Sequence, residues 1–132
     1  MSAAPRSAVD VVRAFAEAFA NGRLAELPAL LAADCVDGEP GPLQPPGRDG
    51  VLWKAAAFHA RFAGFVTTLT DVTGVTDVTG VTGVPDVPGA VAGSRVIAAW
   101  TTRFPGGEVT RWRGTFVVDG TAIASFGVEH VG

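Results

Sequence analysis

Tyrosine is absent from all 132 residues, so no phenol is available to donate a hydrogen bond to a reacting oxygen. Cysteine occurs once, at Cys35, which excludes an intramolecular disulfide, and no His/Cys cluster has metal-ligand spacing. Neither a metal nor a cofactor is expected, and a reducing cytoplasm is the default compartment. Lysine also occurs once, at Lys54, and the arginines are scattered under a net charge of −3. Without a basic stripe to meet phosphates, nucleic acid is not an expected partner. No apolar run approaches the roughly 20 residues that span a bilayer, and Met1 to Arg6 lacks the apolar centre of a signal peptide. No membrane contact is expected either.

What the chain does have is apolar surface. A hydrophobic content of 48% in a chain of this length is enough for the core of one domain, residues 1–132. Ser7 and Asp10 resemble a helix-capping box, after which Val12, Phe15 and Phe19 recur at helical spacing, and Asn21-Gly22 supplies a left-handed stop. A second, short helix carries Leu24, Leu27, Leu30 and Leu31, with Pro28 tolerable only near its first turn. Cys35 to Asp37 reads as a brief strand and Gly38 to Gly47 as a proline-rich loop. Asp49 then caps a third helix that reaches about Ala63.

From Phe65 the apolar period changes to two. Phe65 to Val72, Ser94 to Phe104, Glu108 to Val118 and Thr121 to Val131 are strand candidates, with turns at Pro105-Gly106-Gly107 and Asp119-Gly120. Three helices followed by a meander indicate an α+β domain whose helices cover the concave face of a curved, mostly antiparallel sheet. Between the first two of these strands, about residues 73–89 form a near-triplet repeat of Asp-Val-Thr, Gly-Val-Thr and Val-Pro units. A period of three fits neither strand nor α-helix, so the segment is an expanded loop or, alternatively, a β-arm covering a pocket or a neighbouring subunit.

The residues that could carry chemistry gather after the first strand. In Asp37-Gly38-Glu39-Pro40 the proline holds Glu39 in extended geometry, so it is either a solvated loop acid or a general base at the mouth of an apolar pocket. Asp37, two residues earlier, shares its face; if both point inward, repulsion and burial raise the pKa of one of them. Otherwise Asp37 is a turn residue. His59 lies on the apolar flank of the third helix, where it is satisfied by a backbone carbonyl or else acts as a hydrogen-bond donor. Trp100 and Trp112 alternate with apolar neighbours and are core or pocket wall. Cys35 reads as a small buried apolar residue.

The strings Val11-Val12-Arg13-Ala14-Phe15, Ala20-Asn21-Gly22-Arg23-Leu24, Ala33 through Pro40, Leu69-Thr70-Asp71-Val72, Ala90-Val91-Ala92 and Phe116-Val117-Val118-Asp119-Gly120 are, in this order, similar to the nuclear transport factor 2-like superfamily. Within it the chain resembles the ketosteroid isomerases and SnoaL-like polyketide cyclases. The resemblance covers about residues 9–129 and leaves the triplet repeat as an insertion. It implies a cone-shaped fold and a cofactor-independent isomerase or cyclase that moves protons on an apolar, polyketide-like or steroid-like molecule. By position, Glu39-Pro40 matches the general base of the isomerases. Their oxyanion donors, a tyrosine on the first helix and a protonated acid on a late strand, correspond here to Phe15 and Gly114, neither of which donates from its side chain.

The catalytic candidates are therefore Glu39, His59 and Asp37, and the wall candidates Phe15, Phe19, Phe58, Phe62, Trp100 and Trp112. The alternative is a non-catalytic binding or accessory domain with the same pocket, and the discriminating feature is whether Glu39 sits inside it. A homodimer is expected through the open face of the sheet, because the later strands carry apolar residues on both faces.

Overall fold

In a computed structural model the chain folds as the α+β architecture expected, and residues 7–75 and 94–131 are described. Helix α1 spans Ala8–Ala20, strand β1 Leu31–Asp37, helix α2 Gly47–Arg61, and strands β2 to β5 span Val66–Val75, Ser94–Arg103, Val109–Asp119 and Ala122–His130. The sheet order is β1-β5-β4-β3-β2, with β1 parallel to β5 and every other pair antiparallel. The helical segments cover one face of this curved sheet, the cone-like arrangement of the nuclear transport factor 2-like fold.

Local chemistry explains the boundaries. Ser7 Oγ accepts the Asp10 N–H at 3.1 Å and caps α1, and Gly22 ends it at φ +73°. The expected second helix is present as two consecutive 3-10 turns, Leu24–Glu26 and Pro28–Leu30. Pro28 has no N–H to give an α-helical ladder, yet it suits the first position of a new turn, and Leu27 and Leu30 still bury themselves. Strand β1 starts at Leu31, four residues before the expected Cys35, because a register irregularity between Leu31 and Val36 breaks the alternation that marks a strand in sequence. Helix α2 starts at Gly47 rather than Asp49. Gly50 in its first turn is obligatory, since a Cβ there would overlap the Pro45 carbonyl oxygen.

Strand β2 runs into the start of the triplet repeat: Thr73, Gly74 and Val75 pair with Ile97, Val96 and Arg95. The remainder of the repeat lies outside the described residues. The core forms where Val11, Val12 and Ala18 of α1 meet Val96, Ala98, Phe116, Val118 and Ile123 of the sheet, all buried. No helix among the described residues is long and apolar enough to cross a membrane.

Candidate functional site

At the exit of β1 the parallel register sets Asp37 opposite Phe126, and its side chain is only 5% exposed. Three donors converge on it. Lys54 Nζ approaches Asp37 Oδ2 at 2.9 Å, Gln44 Nε2 donates to the same oxygen at 3.0 Å, and the Glu39 N–H donates to Oδ1 at 2.9 Å. Lys54 also donates to the Glu39 carbonyl at 2.8 Å, and Gln44 Oε1 accepts the Gly41 N–H at 2.9 Å. Burial by itself pushes the Asp37 carboxyl up, but the bonds from Gln44, the Glu39 N–H and Lys54 outweigh it and hold the group below its ordinary value. A carboxylate so held is a weak base. It fastens the proline-rich loop to α2. Glu39 contributes its backbone to this network while the residue itself is exposed.

His59 lies elsewhere, on the last turns of α2. Its Nε2 is 2.6 Å from the Phe19 carbonyl oxygen, which can only accept, so Nε2 carries the proton and the ring ties α2 to the end of α1. Around it the rings of Phe19, Phe58 and Phe65 meet at centroid distances of 4.9–6.1 Å, and Phe62 bridges Phe58 to Phe104. Phe58 and Phe62 are thus bound up in a packed cluster. Trp112, at the far end of β4, packs against His130 with ring centroids 5.2 Å apart.

Among the described residues, an opening that could take a ligand is a groove of about 320 Å³ between α1 and strands β2 to β4. Phe15, Phe19, Leu69, Trp100 and Phe116 supply its apolar walls. Arg13, Glu17 and Asn21, each one turn apart on α1, give it a polar rim, and Thr67 and Thr68 border it from β2. Phe15 rests against Phe116 and Phe126, whose rings stack at 5.7 Å. Gly114 is required by this arrangement: a Cβ there would stand 2.7 Å from Phe116 Cε1 and 3.0 Å from the Trp100 ring.

Of the residues singled out by sequence, Phe15, Phe19 and Trp100 meet at the groove. Asp37, Glu39, His59, Phe58, Phe62 and Trp112 do not line it. Residues that sequence reasoning passed over are Glu17, Thr67, Leu69 and Phe116. The signals for them were present but weak: Glu17 stands one helical turn after Arg13, and Phe116 alternates with Trp112. Among the described residues no group of three or more His, Cys, Asp or Glu is placed to hold a metal ion.

Comparison with known proteins gives a family and a fold. Residues 12–122 match the SnoaL-like domain. Among solved structures, a candidate polyketide cyclase from Bacillus cereus superposes with a TM-score of 0.69 at 13% identity, over 92% of this chain and 72% of its own. A nuclear transport factor 2-like protein of unknown function from Mesorhizobium loti gives 0.66 at 19% identity, over the full length of both chains. A further candidate polyketide cyclase, from Sinorhizobium meliloti, gives 0.61 at 18% identity over 91% of this chain and 94% of its own. No functionally curated protein matches the sequence.

Proposed function

Because the chain belongs to the SnoaL-like domain family, we propose that it takes an apolar, ring-containing small molecule of polyketide-like or steroid-like kind into the groove between α1 and β2 to β4. The observation that carries this reading is the groove itself. Its volume of about 320 Å³ falls at the small end of ligand sites, its walls are aromatic, and its polar groups are few and confined to the rim and β2.

Two readings of what happens there follow. In the first, the domain binds without catalysis; the exposed position of Glu39 and the filled interior around Phe15, Phe116 and Phe126 favour it. In the second, supported by family membership and by the names of the similar cyclases, the domain is a cofactor-independent isomerase or cyclase working by proton transfer. Its base would be Glu39, the acid expected from the sequence, or Glu17, the carboxylate that already borders the groove. His59 would then act through the Phe19 carbonyl to hold α1 in place rather than touch the substrate.

Titration of a panel of ketosteroids and polyketide esters, followed by single-turnover assay, separates these readings. Binding with no turnover of any member establishes the first. If turnover is seen, Glu39→Gln and Glu17→Gln identify the base, the true one losing about a hundred- to ten-thousandfold in rate while still binding. For assembly we propose a homodimer through the outer face of β3 and β4, where Ile97, Ala99 and Val117 lie among Arg95, Arg111 and Arg113. A single monomer mass in light scattering at micromolar concentration would overturn it.

A further inference from the structure

On the inner face of the sheet three threonines share one register line: Thr67 of β2 pairs with Thr102 of β3, and Thr102 pairs with Thr110 of β4. Thr102 is 2% exposed, and its Oγ1 lies 2.9 Å from Thr67 Oγ1. A hydroxyl has one proton to donate and two lone pairs, and most buried hydroxyls keep that proton bonded. Thr110 is not the acceptor, because its own buried Oγ1 has no partner among the described residues. Either oxygen of the pair can donate; in the arrangement that uses the proton of the more buried Thr102, Thr67 accepts it. That leaves the O–H of Thr67 itself, on a residue that borders the groove, with nothing from the described residues to receive it.

We infer that Thr67 is a specificity-determining donor, which selects among apolar ring molecules for those carrying a carbonyl oxygen as a ketone, ester or lactone. The inference rests on the groove being the binding site. Thr102 strengthens the donor: a hydroxyl that accepts one hydrogen bond donates a stronger one, and here both lie in a low-dielectric setting. Other donors at the groove, Arg13, Asn21 and Thr68, stand at exposed positions where water competes for them.

The test uses two probes of nearly equal size, acetylnaphthalene with a carbonyl and ethylnaphthalene without one, titrated into the whole protein by calorimetry. Wild type is expected to bind acetylnaphthalene about three- to tenfold more tightly, the worth of one net hydrogen bond. Thr67→Val should abolish that preference, and Thr67→Ser should keep it. Since Thr67→Val strands the Thr102 proton, the double variant Thr67→Val/Thr102→Val removes both partners and should lose the preference in a folded protein, as circular dichroism would verify. Equal binding of the two probes by wild type, or a preference that survives Thr67→Val or the double variant, overturns the role of Thr67 and leaves the groove assignment standing. Failure of wild type to bind either probe overturns the groove reading, and the role of Thr67 with it.

Discussion

The exit of β1 and the groove under α1 use polar groups in opposite ways. At β1 the Asp37 carboxylate is met by Gln44, Lys54 and the Glu39 N–H, all within 17 residues along the chain, and the result is a fastened loop. At the groove, Phe15, Trp100 and Phe116 come from three separate elements and leave a gap, with a threonine hydroxyl at its edge. A polar group whose bonds are filled by its own neighbourhood builds structure. One left with a spare donor beside apolar walls is placed to meet something from outside.

That contrast can be broken most decisively at the rings. Phe116 is 2% exposed and packs against Phe15 and Phe126, so Phe116→Ala should cost about 3–5 kcal/mol in urea unfolding, the cavity term included. Loss of groove binding should accompany it. A cost smaller than that of removing the β1 ion pair would reverse the ranking of the two regions.

The ion pair should matter less. Lys54→Met removes one of three donors to Asp37, but Lys54 is 44% exposed and water partly replaces it, so a loss of about 1–2 kcal/mol is expected. The Asp37 carboxyl is held below its ordinary value of 3.8, so its contribution to stability is complete above that pH. It is lost as pH falls through the lowered folded value. In Asp37→Asn this part of the acid sensitivity should disappear, and urea midpoints measured between about pH 6 and pH 2 would show the flatter profile. An acid limb identical to wild type would mean that Asp37 is not the group responsible.

The smallest effect is expected at Cys35, on the same strand. Burial, then the charges of Asp37 and Asp34, push its thiol up to about 11, and the residue is 1% exposed. A disulfide reagent at neutral pH should label the native protein only as fast as β1 opens, and label it promptly in urea. Stability should not change on Cys35→Ala beyond the loss of a small buried group. Rapid native labelling would show that β1 is more accessible than its packing implies.

Much of the fold was legible because its signals are local. The Ser7 cap, the Gly22 stop, the turn at Pro105-Gly106-Gly107 and the alternation in β3 and β4 each depend on a few adjacent residues, and each is found as expected. Strand β1 was foreseen only at its end because its irregular register hides the alternation. The pocket walls divided in the same way. Phe15, Phe19 and Trp100 line the groove, but Phe58 and Phe62 share their apolar character and turn instead to Phe65 and Phe104. Periodicity tells which side of an element is apolar. It does not tell which of several apolar neighbours that side will touch.

By itself, then, the sequence determined the α+β class, the lack of an intramolecular disulfide and of a tyrosine phenol, and the apolar character of the interior, since these follow from composition and short-range pattern. Tertiary structure decided which acid is bonded and which is exposed. Asp37 and Glu39 are both acids two residues apart, and the folded loop with Gln44 and the return of α2 with Lys54 separate them, bonding one carboxylate and leaving the other exposed. It also decided where the groove lies and that a threonine borders it, because Thr67 and Phe15 come to the same groove through sheet register and helix placement rather than through proximity along the chain.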